Sequence, residues 1–309
     1  MKGRFAPSPT GRMHLGNVCC ALLSWLSAKS QGGQWLLRIE DLDPQRSRYE
    51  WAEWIEDDLR WLGLTWDEGG LEAPGGSTGT HYRQSLRSDI YEQHLQRLTA
   101  MGLTYPCYCT RAELQATQAP HESDGRQVYA GTCRHRSAPP PPDIKPKTRL
   151  IVPDEDIAFT DRHYGAQRVN LARHCGDFVL RRGDGAWAYQ LAVVVDDALM
   201  GVTEVVRGRD LLLSTPQQLY LYRLLRLTPP CFVHHPLLVN AAGQRLSKRD
   251  RSLDMEALRR RYTPAQLTGQ LACLLGLLPR PQPATPQQLL PLFDWDRVPL
   301  ADIVVDDYE

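Results

Sequence analysis

The sequence lacks any long apolar run, and no stretch approaches the roughly 20 consecutive apolar residues that a membrane-spanning helix needs. The first 30 residues also lack the basic and then apolar layout of a secretory signal. The chain also has no net charge, because 36 basic residues balance 36 acidic residues. This balance argues against nonspecific nucleic-acid binding. These absences predict a cytoplasmic protein with no membrane partner.

The order of the predicted elements indicates an α/β fold. The first half contains a short strand over 2–6, a helix from about Gly16, a buried strand within 34–43 and a helix over 49–62. This alternation of strands and helices is typical of a parallel sheet. The second half is predicted as strands within 177–208 around a Gly-Asp-Gly turn, a helix at 215–226, a strand near 231–239 and helices after Arg251.

Two polar loops have the residue types that bind phosphate. The first follows the first strand, so we expect it at the carboxyl edge of the sheet, where ligands bind in such folds. It has glycines for close approach, and His14 precedes a helix start suited to phosphate. The second loop, at 245–249, carries Lys248, which could stabilise the charge that develops on a triphosphate. Each loop alone is a weak signal, because exposed Gly/Pro turns look the same.

Together and in this order, "RFAPSPTGRMHLGN" (4–17) and "RLSKR" (245–249) resemble the two signature motifs of class I aminoacyl-tRNA synthetases. The form "RFAPSPTG" followed by "RIED" is similar to the glutamyl branch of that family, and so are "YQLAVVVDD" and "GVTEVVRGRDLLLSTPQQ". The resemblance covers roughly residues 2–250. It implies a fold with a Rossmann-like parallel sheet. It also implies an enzyme that activates L-glutamate with ATP and Mg²⁺.

The resemblance also implies roles for single residues, which suit catalysis by positioning. The glutamate site would comprise Arg4, Phe5, Ala6, Pro7, Ser8, Glu40, Tyr189 and Arg207. The ATP site would comprise His14, Gly16, Asn17, Ser247 and Lys248, of which His14 and Lys248 are the expected catalytic residues. The Arg4 and Arg207 guanidinium groups would bind substrate carboxylates, and Glu40 would bind the substrate ammonium. Asn17 and Arg245 replace a more usual histidine and lysine, which glutamyl-type enzymes tolerate.

A cysteine cluster predicts a metal site. Cys107 and Cys109 flank one residue, and Cys133 follows roughly 20 residues later, which supplies most of a tetrahedral structural zinc site. The spacing offers His135 as an ordinary fourth ligand. The resemblance instead implies Tyr129, because one subgroup of the family has a Cys-x-Cys…Tyr-x3-Cys variant. We expect one structural Zn²⁺ per chain, held by Cys107, Cys109, Tyr129 and Cys133, with His135 or unbound thiols as the alternatives.

The predicted organisation has four parts. Residues 104–146 interrupt the α/β pattern with the cysteine cluster and "APPPPDIKP", which cannot form an interior helix or strand. The parts are the first half of the catalytic domain (1–103), an insertion with a zinc-bearing acceptor-type module (104–176), the second half with the RLSKR loop (177–250) and a short helical C-terminal segment (251–309). No anticodon-binding domain is expected, because few residues follow Arg251.

This shortened layout resembles the truncated paralogues within the glutamyl branch. The resemblance implies activation of glutamate without tRNA, and then transfer to the cyclopentenediol of queuosine at the wobble position of tRNA(Asp). Two alternatives stay open. One is a conventional acceptor-end glutamyl-tRNA synthetase that works with a separate RNA-binding partner. The other is a non-catalytic paralogue that senses glutamate or its adenylate.

Overall fold

A parallel sheet forms the centre of the computed structural model, which describes residues 1–71, 81–110, 113, 128–137, 139, 142–244, 246 and 253–305. Its strands, in spatial order, are β10 (Cys231–His235), β9 (Glu204–Gly208), β1 (Lys2–Phe5), β2 (Gln34–Leu37) and β3 (Glu68–Gly69). Every neighbouring pair is parallel, which confirms the predicted α/β class. The second strand ends at Leu37, so the acids that follow it lie in a loop at the carboxyl edge.

Helices follow most strands and cover the sheet. They are α1 (Leu15–Ser30), α2 (Tyr49–Trp61), α3 (Ser88–Ala100), α4 (Leu171–His174), α5 (Tyr189–Leu199), α6 (Thr215–Leu225), α7 (Met255–Arg261), α8 (Pro264–Leu274) and α9 (Pro286–Leu289). The predicted helices after the first strand, over 49–62 and at 215–226 are confirmed. Helix α1 is almost entirely buried, and it packs directly on β1, where Gly3 leaves room for Ala28.

Helix α5 lies where the sequence predicts strands, so that part of the 177–208 prediction is wrong. Its three consecutive valines, residues 193–195, favour strands by propensity, but a short apolar run does not distinguish a buried strand from a buried helix. All three valines are buried, and the helix also buries the Asp196 and Asp197 carboxylates against arginines. This tertiary burial outweighs a propensity difference of about 0.5 kcal/mol per residue. The predicted Gly-Asp-Gly turn is present, since Arg181 and Trp187 pair antiparallel across it.

A second, antiparallel sheet lies beside the parallel one. It consists of β4 (Thr104–Cys107), β5 (Lys147–Leu150) and β8 (Phe178–Arg181), in that spatial order. Strands β6 (Asp156–Asp161) and β7 (Gly165–Asn170) form a hairpin. Because β8 pairs with β5, the predicted boundary between residues 176 and 177 falls inside one sheet, and the insertion is continuous with the segment that follows it.

The C-terminal segment packs onto the parallel domain. Its helices α7, α8 and α9 contribute Leu258, Leu271 and Leu289 to the apolar core that contains α1. Its last strand, β12 (Ile303–Val304), pairs in parallel with β11 (Leu238–Val239). Within the described ranges, no helix has both the length and the apolar character needed to cross a membrane.

Candidate active site and metal centre

A cavity of about 430 Å³ opens at the carboxyl edge of the parallel sheet. Its walls come from the loops after β1 and β2, the start of α1 and the ends of β9 and β10. Among its lining residues are all the residues predicted for the glutamate and ATP sites that the structure describes: Arg4, Phe5, Ala6, Pro7, Ser8, His14, Gly16, Asn17, Glu40, Tyr189 and Arg207. Ser247 and Lys248 lie outside the described residues. Leu246, directly before them, lines the same cavity.

His14 caps the start of helix α1. Its Nδ1 accepts the Gly16 backbone N–H at 3.1 Å, and the His14 backbone N–H in turn donates to Asn17 Oδ1 at 3.1 Å. This reciprocal pair is a capping box, which explains why asparagine serves at position 17. Because Nδ1 is an acceptor, the neutral ring carries its proton on Nε2 and is a donor at that atom.

A segment that follows the second signature motif contacts the first motif. His14 forms an isolated antiparallel bridge with Asp254, and the Met255 backbone N–H donates to the Met13 carbonyl at 2.9 Å. Residues 254 and 255 therefore lie against the first motif, and Leu246 lines the same cavity. Sequence spacing alone gives no signal for this pairing, because more than two hundred residues separate its two partners.

Arg207 is a buried cation held by neutral groups. Its Nε donates to His234 Nε2 at 2.9 Å, Nη1 to Gln218 Oε1 at 2.8 Å and Nη2 to Thr215 Oγ1 at 2.8 Å. Among the residues that the structure describes, no carboxylate forms an ion pair with it. Burial lowers the pKa of this guanidinium, and the Tyr189 phenol nearby opposes that shift. A buried cation without an anionic partner favours an anionic ligand.

Arg4 and Glu40 belong to a neighbouring charge network centred on Arg38. Arg38 is fully buried, and it donates to Glu40 at 3.1 Å and to Asp197 at 2.7 Å. Arg4 donates to the Val206 carbonyl at 3.0 Å, and its Nε lies 3.6 Å from Asp197. Burial raises the pKa of Glu40, against the attraction of both arginines. A ligand cation beside Glu40 would therefore stabilise its charged form.

Three further polar side chains lie at or beside the cavity, and only Tyr189 among them was predicted for the site. Tyr189 begins α5 and lines the wall, and burial raises the pKa of its phenol, which keeps it neutral. His235 lines the cavity with a buried Nε2 that has no partner among the described residues. Burial lowers the pKa of His235 to about 4, so the ring is neutral. Its Nδ1 lies 2.8 Å from the Pro236 carbonyl oxygen and must donate to it, so Nε2 is an acceptor. Arg38 was present in the quoted "RIED" motif, but no sequence signal indicated its central position.

The cysteine cluster lies at the end of β4, away from this cavity. The sulfur atoms of Cys107, Cys109 and Cys133 all lie within 4.8 Å of one another. The Tyr129 hydroxyl is 3.4 Å from Cys107 Sγ and 3.6 Å from Cys109 Sγ, and it accepts the Cys133 backbone N–H at 2.9 Å. His135 is exposed and is not part of this group.

These four groups fit a tetrahedral zinc ion. Bond lengths of about 2.0 Å to oxygen and 2.3 Å to sulfur place an oxygen and a sulfur ligand about 3.5 Å apart, and two sulfur ligands about 3.8 Å apart. The two Tyr129–cysteine distances are close to the first value, and the 3.4 Å between Cys109 and Cys133 is somewhat shorter than the second. The Arg149 guanidinium lies 3.7 Å from the centre of the Tyr129 ring, which is a cation–π contact.

Comparisons with known proteins agree with this geometry. The family model for the catalytic domain of class I tRNA synthetases for glutamate and glutamine matches residues 1–287. A glutamyl-Q tRNA(Asp) synthetase of Nitratidesulfovibrio vulgaris is 48% identical over 98% of this chain and 95% of its own length. Another, of Symbiobacterium thermophilum, is 50% identical over 96% of this chain and 93% of its own. The chain belongs to the glutamyl-Q tRNA(Asp) synthetase family.

Members of the glutamyl-Q tRNA(Asp) synthetase family are ligases, and this chain is an enzyme of that class. The fold is also similar to a solved glutamate tRNA ligase of Elizabethkingia meningosepticum in complex with its amino acid. That protein superposes with a TM-score of 0.80 at 30% identity, over 99% of this chain and 67% of its own. The glutamyl-Q relatives are thus matched nearly end to end, and the ligase extends beyond the matched region.

Proposed function

We propose that this chain activates L-glutamate with ATP, without tRNA, and transfers the glutamyl group to the cyclopentenediol of queuosine at the wobble position of tRNA(Asp). The observation that carries the amino-acid part is Arg207, a buried guanidinium surrounded by an imidazole, an amide and a hydroxyl. A carboxylate ligand supplies the missing anion, whereas the uncharged amide of glutamine does not. Arg4 binds the second carboxylate of the glutamate substrate, and Glu40 accepts a hydrogen bond from the substrate ammonium. Ser8 and Tyr189 add hydroxyl contacts, and Phe5, Ala6 and Pro7 form the floor.

The ATP phosphates bind at the start of α1. Gly16 and Asn17 belong to the first turn, where backbone N–H groups and the helix dipole favour anions. His14 donates from Nε2 to a phosphate oxygen, since its Nδ1 caps the helix. Ser247 and Lys248 complete this side, and Mg²⁺ accompanies ATP as part of the substrate. Glutamate attacks the α-phosphate through its carboxylate oxygen, pyrophosphate leaves, and Lys248 stabilises the charge that develops.

The acceptor enters through a second cavity of about 440 Å³ that shares Ser8, Glu40 and Tyr189 with the first. Its outer wall includes Asp43 and Arg182, which form an ion pair of 3.5 Å. A hydroxyl of a vicinal diol attacks the adenylate carbonyl there, and AMP leaves. The name shared by the full-length relatives supports queuosine as the carrier of that diol. The cyclopentenediol can replace a ribose diol because both present two neighbouring hydroxyls.

The zinc ion is proposed as structural, with Cys107, Cys109, Tyr129 and Cys133 as its ligands. With four protein ligands, no coordination position is open to substrate. When bound, the ion ties the loop of Tyr129 and Cys133 to the end of β4. The phenol oxygen is aimed at the thiols by the Cys133 backbone N–H, which supports Tyr129 over His135.

Pyrophosphate exchange with glutamate and no RNA tests the activation step. We expect exchange with glutamate, little with glutamine, and none in Lys248→Ala, whose thermal unfolding midpoint should match the wild type. An enzyme that exchanges only when tRNA is present would contradict tRNA-independent activation. Absence of exchange under any condition would favour the sensing alternative, and full exchange by a folded Lys248→Ala variant would remove that lysine from the mechanism.

A further inference from the structure

A buried carboxylate reaches Arg207 through one histidine. Asp161 Oδ2 lies 2.6 Å from His234 Nδ1, and His234 Nε2 accepts from Arg207 Nε at 2.9 Å. Asp161 and His234 are both completely buried. Neither residue lines the active-site cavity, so neither belongs to the substrate-binding wall itself.

The contacts determine which nitrogen of His234 carries the proton. An ionised carboxylate only accepts hydrogen bonds, so Nδ1 must be the donor to Asp161. Nε2 of the neutral ring is then an acceptor, which is what the Nε–H of Arg207 requires. A ring protonated at both nitrogens would place an N–H against the Arg207 N–H and a second cation beside the guanidinium.

Asp161 itself is held firmly at the end of β6. Its carboxylate accepts backbone N–H groups from His163 at 3.1 Å, Tyr164 at 2.9 Å and His234 at 3.2 Å. The hairpin that carries it is attached to β10 by a bond from the Arg162 N–H to the Phe232 carbonyl at 3.0 Å. A residue of the predicted insertion thus reaches the proposed amino-acid site through the edge strand β10.

We propose that Asp161 and His234 are positioning residues for glutamate recognition, a role that rests on the function proposed above. Asp161 fixes the tautomer of His234, and His234 holds the Nε edge of Arg207. Gln218 and Thr215 each accept one further N–H, and the Tyr189 hydroxyl is also within hydrogen-bond reach, so only the N–H groups that these partners leave are available to the carboxylate of the amino acid. The pair therefore determines where Arg207 points, and with it the preference for a carboxylate over an amide.

Two amide substitutions at His234 separate this role from a merely structural one. In His234→Gln the side-chain oxygen reaches the position of Nε2 and can accept from Arg207. In His234→Asn the amide reaches only the position of Nδ1, so the contact with Asp161 stays and the contact with Arg207 is lost. We expect the Gln variant to keep the KM for glutamate within about threefold of wild type. We expect the Asn variant to raise it by about tenfold or more, since loss of one buried hydrogen bond to a charged group has that effect.

The measurement is tRNA-free pyrophosphate exchange at varied glutamate, glutamine and ATP, with glutamate binding by calorimetry as a second readout. The preference for glutamate over glutamine should fall in the Asn variant, whereas the KM for ATP should stay unchanged. If the Asn variant does not fold, Asp161→Asn takes its place, because an amide can donate to Nδ1 and so no longer fixes one tautomer. This variant should also raise the KM for glutamate.

The outcomes distinguish this inference from the proposed function. If the wild type shows no exchange with glutamate, the proposed function fails first. If the wild type exchanges and the folded Asn variants match it in KM, calorimetric affinity and amino-acid preference, the positioning role is wrong. Equal losses for glutamate and ATP in the Gln and Asn variants would also contradict it, because that pattern reports general loss of structure.

Discussion

His14 and Gly16 show how single residues shape the proposed ATP side of the cavity. The His14 ring folds back onto the first turn of α1, where its Nδ1 accepts the Gly16 N–H. A Cβ at position 16 would lie 2.9 Å from His14 Cε1 and 3.0 Å from Nδ1, which is too close for the ring to remain in place. Glycine is therefore required by the neighbouring side chain and not by the backbone conformation.

The Gly16→Ala substitution should affect the binding of ATP more than the stability of the fold. Displacing the His14 cap, a contact of about 1–2 kcal/mol, should raise the KM for ATP about tenfold in pyrophosphate exchange. The unfolding free energy should fall by no more than about 1 kcal/mol, because alanine favours a helix by about 1 kcal/mol over glycine and so offsets most of the lost cap. The KM for glutamate serves as the internal control and should not change. An unaltered KM for ATP would show that the His14 position does not matter.

The lining residues could be predicted because they lie in motifs, whereas their partners could not. Arg207 was selected from "VRGRD", but His234 and Asp161 lie far from it in the chain and carry no pattern of their own. Only the folded arrangement brings the end of β6 against β10, whose His234 contacts Arg207 on β9. Asn17 was noted as a departure, and its capping role emerges only from the helix geometry.

At the scale of elements, α5 brings two adjacent carboxylates into the core. Asp196 accepts from Arg87 Nε at 2.7 Å, Gln84 at 2.8 Å and Tyr91 at 2.8 Å, and Asp197 accepts from Arg38. These contacts join α5 to the loop after β2 and to α3. The sequence pattern predicts strands here because a run of valines suits a strand as well as a buried helix. The arginines that pair with the two aspartates are distant in sequence, so no local pattern indicates the helix.

Arg38→Met should strongly destabilise the fold. It leaves Glu40 and Asp197 buried with one fewer cation, and breaking such a network costs about 3–5 kcal/mol. Chemical denaturation measures the loss. Arg60→Met is the matched control, because Arg60 is largely exposed and pairs with Glu56 on one helix, a contact of less than about 1 kcal/mol. Similar losses in the two variants would contradict the buried network.

At the scale of the whole molecule, the segments predicted as separate parts share their cores. The Trp295 indole of the C-terminal segment donates to Ser27 on α1 at 3.1 Å. The hairpin of the insertion reaches Arg207 through the contact of Asp161 with His234. Sequence patterns predicted the alternation of strands and helices and the cysteine cluster, because both appear in the spacing of nearby residues. They did not predict these long-range contacts, which depend on tertiary packing.

Zinc content tests the metal centre of the molecule. Elemental analysis should find one equivalent of zinc per chain in the wild type and a loss in Cys109→Ser. Cys231→Ser is the control, since Cys231 is exposed and lies outside the cluster. Tyr129→Phe should weaken zinc retention against a chelator, whereas His135→Ala should not. A folded, metal-free wild type would rule out the site, and the reverse pattern for the last two variants would make His135 the ligand.

The destination of the glutamate is the central claim, and one measurement addresses it directly. Labelled glutamate is charged onto bulk tRNA with and without queuosine, and nuclease fragments locate the label. We predict labelling only of queuosine-containing tRNA, on the anticodon fragment, and its loss after periodate oxidation of the diols. Label at the 3′ end, independent of queuosine, would contradict the account and favour a conventional acceptor-end synthetase.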